Sequence, residues 1–419
     1  MKKINKKKIQ FGIAFFSIIL VISPTLANDC TWIPADIYGE TFETQLLTKM
    51  SNLHVTSLAF SVLNGTEVFY SRGFGEQNGT DIAYHLNSAC KMFTATAILQ
   101  LYEQGLLDLE DDFNDYMPYV LKNPFYPNTT MTIKQLLSHR SSTMGSWHGF
   151  DDYWPSLNNG TCTFPSVIYE FLHENGTYYV EDNWENFEPG TSFLYSDVGM
   201  DILTLILENI TSTPFDNYCQ ENIFSPLGMT NTRFSVEDYS PEELAIGYDW
   251  NTTTGTNDIM SYYNNSGNPG GGGYFSTADD MSKYMLAHLN QGEYNGVSIL
   301  NATTIELMHT EVDYSKLGLG WWVRETFGLL KDYQGHPGGP HNGFYCANYM
   351  RYSLGVVLLL NQGVGAYSEF EDLYEYIFYF ANKLLEDKCT TEANFYLIPL
   401  IASFGFMVCI ITIRKKKKN

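Results

Sequence analysis

The stretch Asn87-Ser88-Ala89-Cys90-Lys91-Met92-Phe93-Thr94-Ala95-Thr96-Ala97 decides how the chain is read. A helix opening at Ser88 puts Met92, Phe93, Ala97, Ile98 and Leu101 on one side and ends at Gly105, a C-cap residue. Positions i and i+3 share a helix face, so the Lys91 amine reaches the Ser88 hydroxyl. The first turn also leaves N–H groups unpaired, which makes the Ser88 N–H available to a developing oxyanion. A nucleophile, a base and an anion-stabilising donor are the parts that hydrolytic acyl transfer needs. A lysine acts as a base only where burial or cationic neighbours lower its pKa. The pair alone is weak evidence, because Ser-x-x-Lys arises by chance about once or twice in a chain of this length.

Outward from this helix, the pattern predicts a mixed fold. Ala35–Leu53 has helical periodicity, and two alternating runs, Val55–Leu63 and Glu67–Gly73, join through an Asn64-Gly65 hairpin signal. From about Asp108 to Leu289 the chain reads as helical and loop-rich, with helices near Ile133–Ser138 and Asp197–Ile210. Leu317–Arg324, Gly343–Met350 and Ser353–Leu360 then read as antiparallel strands, followed by an amphipathic helix over Ser368–Glu386. The fold class expected is α/β (α+β): an antiparallel sheet flanked by helices, with a separate, mostly helical lobe. No repeat or linker interrupts residues 28–394.

Further motifs follow in order. Gly105-Leu106-Leu107-Asp108-Leu109, Asn114-Asp115-Tyr116-Met117-Pro118, and Thr132-Ile133-Lys134-Gln135-Leu136-Leu137-Ser138-His139 come after the opening stretch. Then come Glu188 to Asp197, with Tyr195-Ser196-Asp197, then Phe224-Ser225-Pro226-Leu227-Gly228-Met229, and finally Gly335-His336-Pro337-Gly338-Gly339. Together they resemble the serine β-lactamase-related and penicillin-binding-protein-like family, in its class C β-lactamase and D,D-carboxypeptidase branch. The resemblance implies a serine hydrolase, without cofactor, that acylates Ser88 and uses Lys91 as base. It implies that Tyr195 shares proton traffic with Lys91 and passes a proton to the leaving group, helped by cationic neighbours that favour the phenolate. His336 would lie on a strand edging the cleft and orient the substrate and the Tyr195 hydroxyl. Gly338 and Gly339 would border the substrate, with the Gly339 N–H as second oxyanion donor. Pro337, lacking an N–H, suits an edge strand.

One position departs from the family pattern. Asp197 stands where an asparagine is expected two residues after Tyr195. A carboxylate accepts from Lys91 but cannot donate to substrate when ionised, and it favours a charged Lys91. Two functional classes therefore stand side by side: an active hydrolase of ester, amide or peptide substrates, and a catalytically weak binding module on the same scaffold. A D,D-carboxypeptidase or β-lactamase proper is the narrower enzymatic alternative. Taken singly, Tyr195 reads as a packing residue and His336 as a loop histidine. His139 and His148 read as structural, since no clustered His or Cys spacing points to a metal. Gly270–Gly273 lacks the spacing of a phosphate loop and matches the family's glycine-rich turn before Ser276-Thr277-Ala278-Asp279-Asp280.

The two ends differ from the body. Ten of the 24 basic residues fall within Lys2–Lys8 and Arg414–Lys418, leaving residues 28–394 with 14 basic against 47 acidic, a difference of −33. So acidic a surface repels phosphate backbones, which excludes nucleic acid as partner. Five lysines, an apolar run from Phe11 to Ile22 and Thr25-Leu26-Ala27 read as a signal peptide over residues 1–27; the run is shorter than the about 17 residues a span needs. Phe395–Ile413 is 19 uncharged residues followed at once by basic ones, as a transmembrane helix with a cytoplasmic tail over 414–419 would be. The expected topology is single-pass type I, with residues 28–394 lumenal or extracellular and membrane as one partner. Lys416 and Lys417 resemble a dilysine retrieval signal of the endoplasmic reticulum, or serve as a plain stop-transfer run. Of seven cysteines, Cys30 and Cys389 flank the body and suit a disulfide, whereas Cys90 suits a buried free thiol. Sequons such as Asn64, Asn128 and Asn301 are candidate glycosylation sites.

Overall fold

Val356, Leu358 and Leu360 face one hydrophobic core while Val357 and Leu359, between them, face another. A strand with period two feeds both cores only if both faces of its sheet are covered. In the computed structural model of the chain, which describes residues 42–146, 164–260, 270–327, 330–363, 370 and 372–384, they are. The strands are β1 (Ser57–Leu63), β2 (Val68–Gly75), β3 (Trp322–Phe327), β4 (Leu330–His341), β5 (Phe344–Arg351) and β6 (Leu354–Leu360). They form one antiparallel sheet in the order β2-β1-β6-β5-β4-β3. All seven residues of β1 and all seven of β6 are buried.

Helix α1 (Phe42–Asn52) and the helix over 372–384 supply the core on one face, where Leu46, Met50, Leu373 and Ile377 meet Leu58, Phe60 and Leu358. The opposite face carries α2 (Lys91–Glu103) and the helices beyond it. Every residue of α2 from Lys91 to Leu101 is buried. A helix buried all round lies inside the molecule rather than on its surface. Helices α3 (Ile133–Leu137), α4 (Asp197–Thr211) and α5 (Ala278–Leu289) share that core, through Leu136, Ile202, Leu203, Met281 and Met285. The helical region is therefore not a separate lobe with its own core, as the sequence suggested; it is continuous with one face of the sheet. The described residues fall in a single unit, Glu40–Leu385.

Local signals fix the element ends. Thr132 and Gln135 form a reciprocal capping box on α3, and the Ser196 hydroxyl accepts the Gly199 N–H at 2.9 Å to cap α4. The Asn64-Gly65 signal marks a real hairpin, but the Asn64 N–H bonds the Glu67 carbonyl, so Gly65 and Thr66 lie at its tip, and the register shifts at Val62/Leu63. The strand read over Leu317–Arg324 starts later, at Trp322. Leu317 bridges back to Trp322, and Gly320 between them takes a left-handed φ of +68°. The opening helix is tighter at its start than expected: Asn87–Cys90 is a 3₁₀ turn that runs into α2. Cys90, Cys219 and Cys346 are buried free thiols. Among the described residues no helix is long and apolar enough to cross a membrane. The expected signal peptide, the transmembrane segment 395–413, the tail and the Cys30–Cys389 pair lie outside the described residues.

Gly320 is where β3 is pressed onto α2: a Cβ there would lie 2.6 Å from Ala95 Cβ. Left-handed backbone costs a branched residue about 1–2 kcal/mol and overpacking about 1–3 kcal/mol more. Gly320→Val should therefore lower unfolding free energy by about 2–5 kcal/mol in urea titration, whereas an unchanged midpoint would show that β3 does not pack as described.

Candidate active site

Ser88 sits half-buried in the 3₁₀ turn, and Lys91 begins the buried helix that follows it. The Lys91 Nζ is 3.0 Å from Ser88 Oγ, 2.6 Å from the Gly271 carbonyl and 2.6 Å from Asp197 Oδ1. The Lys91 side chain has no solvent exposure, and that of Asp197 is 25% exposed. A buried ammonium needs paired charge and hydrogen bonds, and these three groups supply both. Asp197 is the first residue of α4.

Tyr195 lies between this cluster and His336. Its ring is 4.9 Å from Lys91 Nζ, and its hydroxyl is 3.3 Å from His336 Nε2. His336 Nδ1 is 2.6 Å from the Pro337 carbonyl, which can only accept, so Nδ1 carries the proton and Nε2 is an acceptor. Lys91 therefore donates to Ser88, Tyr195 donates to His336, and His336 donates to the Pro337 carbonyl. His336 is on β4, whose partner β3 reaches only as far as Trp322 opposite Gly335. Beyond Gly335 the strand pairs with β5 alone, so its other edge lines the cleft as an edge strand would.

Asn87 ties that edge to the nucleophile. Its side-chain amide donates to the Gly339 carbonyl at 2.9 Å and the Phe344 carbonyl at 3.1 Å, and its carbonyl oxygen meets His85 Nδ1 at 2.7 Å. Its backbone is left-handed, φ +47°, a conformation asparagine tolerates better than most residues. Gly338 packs so closely on the chain entering the turn that a Cβ would fall 2.0 Å from the Leu86 carbonyl. Asn87, Ser88, Gly338 and Gly339 are thereby held as one piece.

Electrostatics set the resting protonation. Burial is the largest influence on Lys91 and pulls its pKa down, but Asp197, with Tyr195, more than reverses it, so Lys91 is held charged. Burial dominates at Tyr195 and, with Asp197, outweighs the cationic Lys91, pushing the phenol up to about 12. Lys91 does pull Tyr195 toward phenolate, as the sequence implied, but burial and Asp197 outweigh it, so Tyr195 rests as a phenol. Burial and Lys91 push His336 down to about 3. His139, buried beneath the Tyr195 ring at 4.5 Å and accepting the Ser196 N–H at 3.1 Å, is likewise kept neutral by burial and Lys91. It supports the tyrosine, as a structural histidine should.

The structure thus brings Ser88, Lys91, Tyr195, Asp197, His336, Gly338 and Gly339 into one cluster. Sequence reasoning missed the Gly271 carbonyl, the Asn87 clamp and Trp322, whose indole stacks 6.3 Å from the Tyr195 ring. Asn87 alone had a local signal, as an asparagine directly before the nucleophile. Among the described residues no cluster of histidine, cysteine or carboxylate side chains would hold a metal ion.

The family model described as Beta-lactamase matches residues 42–377, most of the chain and all of this site. The chain belongs to the beta-lactamase family. Members of this serine β-lactamase and penicillin-binding-protein-like family are serine hydrolases. A relative from Escherichia coli K12 named "Putative D-alanyl-D-alanine carboxypeptidase" is 28% identical over 292 residues, 62% of this chain and 64% of its own length. The chain thus spans under two thirds of that relative. The fold is shared with an octameric penicillin-binding protein homologue from Pyrococcus abyssi (TM-score 0.65, 24% identity, 80% of this chain and 75% of that one). It is shared also with a D-amino acid amidase from Ochrobactrum anthropi SV3 (TM-score 0.62, 19% identity, 84% of this chain and 99% of that one).

Neutral buried histidines make stability depend on pH. His85 is lowered to about 4 and His309 and His336 to about 3, all chiefly by burial. Each folded pKa lies below the unfolded value of about 6.5, so the unfolded chain binds more protons and stability declines as pH falls from about 6.5 toward 3. Each such group adds up to about 1.4 kcal/mol per pH unit. Unfolding free energies measured from pH 8 to 5 should be level above about 7 and fall below 6.5; a flat profile through pH 5 would contradict neutral burial.

Proposed function

We propose that this beta-lactamase family member is a serine acyl-hydrolase that cleaves ester, amide or peptide substrates through an acyl-Ser88 intermediate. The observation that carries the reading is the Lys91 amine bonded at 3.0 Å to Ser88 Oγ and at 2.6 Å to Asp197, with the Tyr195 hydroxyl beside them bonded to His336. The resting polarity sets the first step. A charged Lys91 donates to Ser88 and cannot take its proton. One proton therefore shifts from Lys91 to Asp197 across 2.6 Å, leaving a neutral amine 3.0 Å from Ser88 Oγ.

Ser88 then attacks the carbonyl, its proton passes to Lys91, and the oxyanion is met by the Ser88 and Gly339 N–H groups. Tyr195 gives its proton to the departing amine or alcohol and regains one from Lys91, after which Asp197 returns its proton to Lys91. The net change is one proton moved from Ser88 to the leaving group. Water attacking the acyl carbonyl repeats the sequence and frees Ser88. In this scheme His336 stays neutral, accepting from Tyr195 and holding it toward the leaving group.

The same ion pair favours a second reading. If Asp197 holds Lys91 charged throughout, the chain is a weak catalyst that binds acyl compounds without turning them over. Placement in the secretory pathway, as a type I membrane protein with this site lumenal or extracellular, is also part of the proposal and rests on the sequence at the two ends.

A fluorophosphonate should label the wild type and spare Ser88→Ala; equal labelling of both, or none of either folded protein, would remove Ser88 as nucleophile. Asp197→Asn separates the two readings. If Asp197 takes the proton, kcat/KM for a simple ester should fall about 100-fold, the scale of general-base catalysis. A rise in turnover would instead favour the weak-binder reading.

A further inference from the structure

Trp321 and Trp322 are adjacent, yet one is fully buried and the other is not. Successive strand residues point to opposite faces, so the start of β3 sends Trp321 into the core and Trp322 toward the cleft. Trp321 packs among His288, His309 and Tyr284, and core packing accounts for it. Trp322 has no such account. Its indole lies parallel to the Tyr195 ring at 6.3 Å and 11°, and 6.4 Å from the His336 ring. On its other side Phe193 meets it at 6.0 Å, edge to face, and is itself 38% exposed.

Two large aromatic side chains are thus left partly open to water directly beside the groups that would handle the leaving group. Exposed aromatic surface gives up stability that burial would supply, at roughly 25 cal/mol per Å². Their position is fixed: Gly335 pairs with Trp322, Gly320 locks the turn before it, and Tyr195 is held from behind by His139. A rigid aromatic wall continuous with a reactive site selects for apolar ligand groups, since stacking adds about 0.5–1.5 kcal/mol beyond area burial.

We infer that Trp322 and Phe193 form a specificity platform for an acyl compound whose leaving group carries an aromatic or similarly broad apolar group. This rests on the acyl-hydrolase reading for its substrate class, and adds what selects within that class. A small leaving group leaves both rings wet; a benzyl group stacks on Trp322 and is edged by Phe193. Trp322 determines specificity here and has no part in moving protons.

Two measurements keep this inference apart from the acyl chemistry. The first is the ratio of kcat/KM for benzyl acetate over methyl acetate, followed by acid release. The wild type should favour benzyl acetate, Trp322→Ala should lower the ratio about tenfold, and Trp322→Phe should restore most of it. The second is calorimetric binding of N-benzylacetamide to Ser88→Ala and to Ser88→Ala/Trp322→Ala, with thermal melts confirming that both fold. Binding weakened about tenfold by the second substitution supports the platform even if neither ester is turned over, an outcome that would instead sink the acyl-hydrolase reading. An unchanged ester ratio in Trp322→Ala, or equal N-benzylacetamide binding by the two Ser88→Ala proteins, overturns the platform whatever the chemistry. If Trp322→Ala fails to fold, Trp322→Leu and Phe193→Ala take its place under the same criteria.

Discussion

Burying the ammonium of Lys91 is the constraint on which the rest of this structure depends. An unpaired charge in a protein interior is costly enough that the group would deprotonate or draw in water, and leaving one partner of a buried pair alone typically costs about 3–5 kcal/mol. Lys91 is wholly enclosed, and three parts of the chain far apart in sequence converge on it. The helix that carries it brings Ser88, the start of α4 brings Asp197, and the glycine-rich turn brings the Gly271 carbonyl. Only where α2 and α4 pack in one core does a carboxylate 106 positions downstream come within 2.6 Å of the amine. The stability of the core and the assembly of the site are therefore the same event.

This convergence also decides what kind of site results. A lysine desolvated without a counter-charge would rest neutral and ready to accept a proton. Here the partially exposed Asp197 tips the balance to a charged lysine, which donates to Ser88. Tyr195 stays a phenol and His336 stays neutral. The resting arrangement is ordered but one proton shift away from attack. Asp197 is near enough to take that proton, so the residue that departs from the family pattern both restrains the base and offers the way to release it.

Much of this was legible in the sequence, for physical reasons. Ser88 and Lys91 are one helical turn apart, and Tyr195 and Asp197 flank a helix cap, so short-range geometry joins each pair. The strands of the sheet announced themselves by apolar runs, and the link between Asp197 and a charged Lys91 followed from charge alone. What stayed hidden depends on long-range packing. The Gly271 carbonyl is 180 positions from the amine it holds, and no side chain advertises it. Trp322 lies in a strand that begins later than its residue pattern implies, because the left-handed turn at Gly320 is invisible to hydrophobic periodicity. The pull of Lys91 on Tyr195 was evident from sequence, whereas the burial that outweighs it was not. For the same reason the helical region passed for a lobe of its own, when its apolar residues and the sheet's in fact fill one core.

The account stands or falls on the charge of Lys91 in the resting protein. A ¹⁵N-lysine NMR titration of the wild type beside Asp197→Asn, with Lys91→Gln to assign the signal, reads it directly. The account predicts a Lys91 ammonium that persists beyond the ordinary lysine value of about 10.5 in the wild type and titrates at lower pH once Asp197 is replaced. A wild-type Lys91 already neutral at pH 8, or one whose titration ignores the Asp197 substitution, would contradict it.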